Sequence, residues 1–215
     1  LAEASYSSAV YRLGILRGYM TRHGAGPFVS EDPIITAEMQ DQHNINNPWQ
    51  RTFRVGHLDL LALRYALEVA GKLDGLAITN LDRLVEMSSW LICDHYHYPG
   101  SNPVVARHFT ICEKNISAIN LPADPTDLAL HEERTHLLGE MVPGYTQFTK
   151  TAESYLEMIC QALNTPLAIT SLGPTALEKQ THFNSLKKNM LACSDPSSLR
   201  AYSGITPASL YPSTQ

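Results

Sequence analysis

Between residues 59 and 82 the chain passes from an apolar helix through a tight turn to a short buried strand and a polar cluster. No other stretch restricts the fold as much. Leu60, Leu61, Leu63, Ala66, Leu67 and Val69 leave almost no polar face, which predicts a buried helix over 59–70 ended by Gly71. Residues 75–79 follow as a strand, with Asn80 and Asp82 at its end. This is half of a βαβ unit, so the expected fold class is α/β with short parallel strands. Ligands in such sheets bind beyond the C-terminal ends of the strands.

A second stretch has the same order. Ala152, Tyr155, Leu156, Ile159 and Leu163 share one face of a helix expected over 151–163, Pro166 stops it, and a strand over 167–170 runs into Ser171-Leu172-Gly173-Pro174. Elsewhere, Tyr6, Ala9, Val10, Leu13 and Leu16 recur at helical spacing, predicting a helix over 2–19. Residues 30–49 turn polar without a period and read as a long loop. β-Branched and aromatic residues over 90–98 and 104–111, around Pro99-Gly100-Ser101-Asn102, predict a β-hairpin. Asp124-Pro125-Thr126-Asp127 offers a helix start for a helix to about 138. A last helix is expected over 176–191, closed by Lys187 and Lys188. From 194 Ser and Pro dominate, so the chain is divided into a folded region, 1–193, and a loosely ordered tail, 194–215.

The 215 residues fit one domain, and a formal net charge of -5 disfavours nucleic-acid binding through bulk electrostatics. Cys93, Cys112, Cys160 and Cys193 lack C-x-x-C spacing, which argues against a zinc knuckle or a disulfide framework. No apolar run approaches the roughly eighteen residues of a membrane span, and the start has no signal pattern, so a cytoplasmic location away from membranes is expected. The chain begins with Leu1, which suggests a piece of a longer product or a trimmed one.

Residues 19–28, Tyr-Met-Thr-Arg-His-Gly-Ala-Gly-Pro-Phe, read as a site. Gly24, Gly26 and Pro27 let a backbone approach a ligand closely, and Thr21, Arg22 and His23 supply groups that grip phosphate, sugar or carboxylate. The plainer alternative is an ordinary loop with Arg22 in a structural ion pair. Arg51 and Arg54 suit carboxylate binding, or are solvated surface charges. Asp82 can accept two hydrogen bonds from the N1 and N2 donors of guanine, which adenine lacks, or it caps a following turn. Ser171, Gly173 and Pro174 suit the edge and face of a base, or form a simple Gly-Pro turn. His131 and His136 are five apart, off the four-residue spacing of a zinc helix. His95 and His97 lack a third ligand, so no metal site is expected in this chain. No G-x-x-x-x-G-K-[ST] phosphate cradle is present.

In order, the 19–28 loop, Arg54-Val55-Gly56-His57-Leu58-Asp59, Thr79-Asn80-Leu81-Asp82, Pro143-Gly144-Tyr145 and Thr170-Ser171-Leu172-Gly173-Pro174 resemble the C-terminal half of adenylosuccinate synthetase, over roughly 8–174. The family shows Thr-Arg-Val-Gly-x-Gly-Pro-Phe, an Arg-rich segment ending in Gly-Trp-Leu/Phe-Asp, Thr-Lys-Leu-Asp, Pro-Gly-Trp and Ser-Thr-Gly-Pro at these places. The resemblance implies a P-loop-NTPase-related fold and a ligase that joins aspartate to the 6-position of IMP using GTP and Mg²⁺. It further implies a nucleotide base site at Asn80, Asp82, Ser171, Gly173 and Pro174, an aspartate site at Arg51 and Arg54, and an acceptor-nucleotide site at Arg22, His23 and Gly24. Whether the chain pairs as a homodimer, as the family does, stays open. The sequence departs from the family pattern at Asn80, where the family has lysine, at Phe53, where it has a second arginine, and at His23, where it usually has valine. In the family the phosphate loop and the catalytic residues lie in the other half, so this chain alone is expected to have little activity. The alternative is a non-catalytic purine-nucleotide-binding or interaction module derived from the enzyme.

Overall fold

Gly18 donates its amide to Thr79 and its carbonyl accepts the Tyr155 hydroxyl at 2.8 Å, tying a helix to two neighbouring strands of one sheet. The structure, a computed structural model, describes residues 10–39, 44, 48–147 and 151–182. In chain order the first elements are β1 (Leu13–Arg17), β2 (Met20–His23), α1 (Pro33–Glu38), β3 (Phe53–Gly56), β4 (Leu58–Asp59), α2 (Leu60–Ala70), β5 (Gly75–Thr79) and α3 (Leu81–Leu84). After these come β6 (Leu91–His97), α4 (Val105–His108), β7 (Phe109–Cys112), β8 (Asn115–Ile119), α5 (Leu128–Glu140), β9 (Val142–Gln147), α6 (Ala152–Ala162), β10 (Leu167–Ser171), a single 3₁₀ turn at Ala176–Glu178 and β11 (Lys179–Thr181).

The α/β expectation is borne out. β1, β5 and β10 lie parallel in that spatial order, and β11 adds an antiparallel edge beside β10. β2 and β3 form a separate antiparallel ribbon. In the second large sheet, β6 pairs β4 in parallel and both β8 and β9 antiparallel, and β7 extends β8. One core, with Leu58, Leu76, Ile78, Leu84, Tyr155 and Ile159, lies under the parallel sheet. A second, with Leu61, Tyr96, Phe109, Ile116 and Leu137, lies under the other.

α2 begins and ends as its sequence suggests. Asp59 Oδ1 accepts the Leu61 and Ala62 amides at 3.1 and 3.0 Å, and the Gly71 amide closes on the Leu67 carbonyl with φ 78°. Its burial is less complete than its composition implies: Leu60 and Leu61 are buried, but Val69 is 63% exposed. α5 and α6 also sit where expected, capped by Asp127 and Thr151.

Four expectations are corrected. Residues 13–17 are a strand and not part of a helix, and β2 takes up the start of the 19–28 loop; residues 1–9 fall outside the described residues. The expected loop over 30–49 contains α1, started by Asp32, whose Oδ1 accepts the Ile34 amide at 2.8 Å, and by Pro33. β6 pairs with β9, β4 and β8 instead of with 104–111. The hairpin joins β7 and β8 through Glu113, which takes a left-handed φ of 57°, and residues 105–108 are the short helix α4. Over 176–182 the expected last helix stops after one 3₁₀ turn, because Lys179–Thr181 pairs with β10. The rest of that helix and the 194–215 tail lie outside the described residues. Among the described residues no helix is long and apolar enough to cross a membrane.

Candidate functional site

Two groups of candidate residues come from two places in this frame. The first lies past the C-terminal ends of β5 and β10, neighbouring parallel strands with Ile78 opposite Thr170. β5 runs directly into Asn80, which takes the left-handed conformation at φ 57°, and its Oδ1 lies 3.0 Å from the Thr79 hydroxyl. Asparagine tolerates that region better than most residues. The bend sends the chain into α3, where Asp82 sits in the first turn, half-buried and without a hydrogen bond or ion pair among the described residues. It does not cap the turn, and its carboxylate oxygens remain available as acceptors. β10 ends at Ser171, whose hydroxyl donates to the Gly173 carbonyl at 3.1 Å. The Lys179 ammonium donates to the same carbonyl, and the Leu172 amide reaches the Glu178 carbonyl, so the 171–175 turn is tied to the 3₁₀ turn that follows.

The second group surrounds an open cavity of about 290 Å³ lined by Gly24, Ala25, Arg51, Thr52 and Arg54. The β2–β3 ribbon builds it: Arg22 pairs with Arg54 and His23 with Phe53 in register, and the turns at 24–26 and 51–52 close its end. Gly24 and Gly26 both hold positive φ, 73° and 106°, which explains the two glycines of this loop. The Arg22 guanidinium folds back onto the Ala25 carbonyl at 3.1–3.2 Å and shapes the turn; it makes no ion pair among the described residues. Arg54 Nη1 meets Glu31 Oε2 at 2.6 Å, and Nη2 donates to the Gly24 and Gly26 carbonyls at 2.8 and 2.9 Å. The guanidinium also lies 5.6 Å from the centre of the Phe28 ring. Arg51 is exposed, holds φ 59° and forms no ion pair among the described residues. His23 stacks at a tilt on Phe53, ring centroids 5.0 Å apart, with Nε2 3.2 Å from Asn44 Oδ1. Among the described residues its Nδ1 is buried without a hydrogen-bond partner, as are Arg54 Nε, Ser30 Oγ and, apart from a longer contact with Asp32, His57 Nε2. All four of these orphaned atoms belong to residues of 23–57, the segment that builds the cavity.

Beside the ribbon are buried and half-buried polar groups, of which His57, Asp59 and Tyr145 fall in segments the sequence singled out without a role, whereas Asp32 and Tyr96 do not. His57 is fully buried and stacks edge-on against Tyr145 at 5.1 Å. Its Nδ1 accepts the Leu91 amide at 3.4 Å, which places the ring proton on Nε2, 3.4 Å from Asp32 Oδ2. Burial lowers its pKa, with Asp32 and Glu38 opposing. Asp59 Oδ2 accepts the Tyr96 hydroxyl at 2.7 Å, and burial raises the Asp59 pKa against the lowering effect of its hydrogen bonds. Sequence reasoning also passed over Glu31; an acid three residues beyond the 19–28 loop was the available sign of an Arg54 partner.

The Adenylosuccinate synthetase family model matches residues 2–180. The chain belongs to the adenylosuccinate synthetase family. The adenylosuccinate synthetase of Nitrosomonas eutropha is 31% identical over 180 residues, covering 78% of this chain and 38% of that protein. That of Bdellovibrio bacteriovorus is 29% identical over 174 residues, covering 75% and 36%. Among solved structures, that of fully ligated adenylosuccinate synthetase from Plasmodium falciparum matches with a TM-score of 0.59 at 20% identity, over 79% of this chain and 39% of that one, and the likeness is one of fold. The chain therefore spans little more than a third of the length of these adenylosuccinate synthetases. His23 and Phe53, the positions read from the sequence as departures from the resembled pattern, are cross-strand partners in ring contact.

Proposed function

We propose that this chain is the base-reading and amino-acid-gripping region of an adenylosuccinate-synthetase-type C–N ligase of purine nucleotide biosynthesis. In the reaction so assigned, GTP activates the 6-oxygen of IMP and aspartate displaces the phosphate. Asp82, with Asn80, Ser171, Gly173 and Pro174, reads the guanine of the triphosphate; Arg51, in the cavity wall that Arg54 braces, takes the amino acid; Arg22, His23 and Gly24 face the acceptor nucleotide. The observation that carries this reading is the placement of the uncommitted Asp82 carboxylate and the 171–174 turn beyond the ends of two adjacent parallel strands, where α/β sheets bind ligands. Family membership supports the ligase class.

No group of three or more His, Cys, Asp or Glu among the described residues is suited to hold a metal. The residues of this region thus do not fit a metal cage, and no step here runs through one; the resemblance brings Mg²⁺ in with the triphosphate. Phosphoryl transfer depends on positioning around the phosphates, and the sequence contains no Gly-rich cradle for them, so the region alone is inactive. A cytoplasmic setting suits this role. A second reading, a purine-nucleotide-binding or interaction module derived from the enzyme, is favoured by Asn80 in place of the family lysine.

The test is a steady-state assay of a protein in which this region is joined to a family phosphate-binding half, supplied with IMP, aspartate and either GTP or ATP. The ligase reading expects turnover with GTP, a preference over ATP that Asp82→Asn abolishes, and a raised aspartate KM in Arg51→Ala. Nucleotide binding without turnover would favour the second reading, and unchanged kinetics in both variants would overturn the site assignment.

A further inference from the structure

The cavity between the 24–26 and 51–54 segments is lined by two guanidinium groups, but one of them is already spent. Every polar atom of the Arg54 head group is accounted for: Nη1 on Glu31, Nη2 on the Gly24 and Gly26 carbonyls, and Nε enclosed where no partner reaches it. Glu31, at 2.6 Å, also neutralises its charge. Drawing Arg54 onto a ligand would break charge-assisted hydrogen bonds that hold the loop, and such bonds are the strong ones. Position 53, one residue before Arg54, contributes an aromatic ring that faces His23 and packs against the core. Arg22 has turned Nε and Nη2 onto the Ala25 carbonyl and is not part of the lining. Arg51 is left, exposed, outside any ion pair among the described residues, and presenting a planar fork that matches one carboxylate.

We infer that this cavity grips its ligand through Arg51 alone, one carboxylate at a time, so that an amino acid is held by its α-carboxylate with little preference for a second carboxylate on the side chain. The inference rests on the proposed amino-acid site and narrows it: aspartate enters as an α-amino acid among others, and its selection over them has to come from outside this cavity. Phe53, stacked on His23 and packed against the core, supplies no second cation for a dicarboxylate. A neutral donor such as the Thr52 hydroxyl adds too little to discriminate, since a hydrogen bond between uncharged partners contributes far less than a charged one.

The experiment is an NMR titration of the isotopically labelled 215-residue chain with L-aspartate and, separately, L-alanine, following the amides of 24–26 and 51–54. The two Kd values are expected within about threefold of each other, as an exposed extra charge contributes little, and Arg51→Ala should abolish both shifts. Phe53→Arg adds the missing cation and should raise the preference for aspartate about tenfold. Because Phe53 also packs against the core, Glu31→Gln serves as a second variant: it leaves Arg54 in place but strips its counter-charge, and should move the ratio in the same direction. A native preference for aspartate above about tenfold, lost in Arg51→Ala, would overturn the single-carboxylate inference and leave the amino-acid site standing. A ratio unmoved in both gain-of-charge variants would overturn it as well. Absence of binding by either amino acid would overturn the inference and the site together.

Discussion

The Arg54 guanidinium and the Glu31 carboxylate meet at 2.6 Å across the base of the β2–β3 ribbon, with side chains 17% and 32% exposed. Through this pair one arginine holds the 24–26 turn to Glu31, while Arg51, three residues earlier, is exposed and outside any ion pair among the described residues. The two should behave oppositely on substitution. Arg54→Ala is expected to lower stability by about 2–3 kcal/mol, because it strips charge-assisted bonds and leaves two carbonyls unpaired, whereas Arg51→Ala should stay within about 0.5 kcal/mol. Urea denaturation of both variants checks this; equal losses would contradict the division of roles.

Gly56 ends β3 where a Cβ would collide with the Ser30 carbonyl oxygen and lie 2.9 Å from Glu31 Cα. Backbone atoms cannot yield as a side-chain tip can, so Gly56→Ala should cost about 3 kcal/mol or more and disturb the ribbon. Gly139, inside α5 with nothing within 4 Å, is the control: Gly139→Ala should stabilise by about 0.5–1 kcal/mol. Thermal melts of the pair should shift in opposite directions.

Asp59 joins two functions, the cap of α2 and the acceptor of the buried Tyr96 hydroxyl. Asp59→Ala loses the cap, about 1 kcal/mol, and leaves the Tyr96 hydroxyl unsatisfied, about 1–3 kcal/mol more. Asp59→Asn keeps an oxygen for the cap and an amide for the tyrosine while removing a charge that burial disfavours, so it should cost much less than the alanine variant. Equal destabilisation would assign the loss to the charge itself.

His57 gives a signed pH dependence. Its pKa is lowered in the folded chain, chiefly by burial, so below the unfolded value of about 6.5 the unfolded state binds the extra proton first. Its contribution to stability is therefore fully present above that value and is lost as pH falls from there toward its folded pKa. His57→Phe should flatten this part of the stability curve, measured by urea midpoints between about pH 7 and 5. A slope unchanged in the variant would place the proton elsewhere.

How much of this could be read from the sequence depended on whether local and tertiary preferences agreed. α2, α5, α6 and β5 were legible because capping residues and periodicity point the same way: Asp59 and Gly71 bracket one helix, and Thr151 and Pro166 bracket another. Residues 13–17 were misread because Leu13 and Leu16 suit a helical stripe as well as a strand, and pairing with β5 decided the matter. The 90–111 hairpin was misassigned because pairing between β6 and β9 spans some fifty residues of chain, beyond what turn chemistry signals. At the site, the order of the motifs was legible, but the commitment of Arg54 was not, since Glu31 becomes its partner only when the strand bridge at Gly56 brings the two segments together.

Asp82 is proposed to read a guanine base. Calorimetric titration of the chain with GDP, ADP and IMP, beside Asp82→Asn, tests it most directly. GDP is expected to bind, ADP to bind at least about tenfold more weakly, and that difference to be lost in the variant, since a site built to pair with two base donors rejects a base lacking them. Equal affinity for GDP and ADP, or GDP binding unchanged in Asp82→Asn, would contradict it.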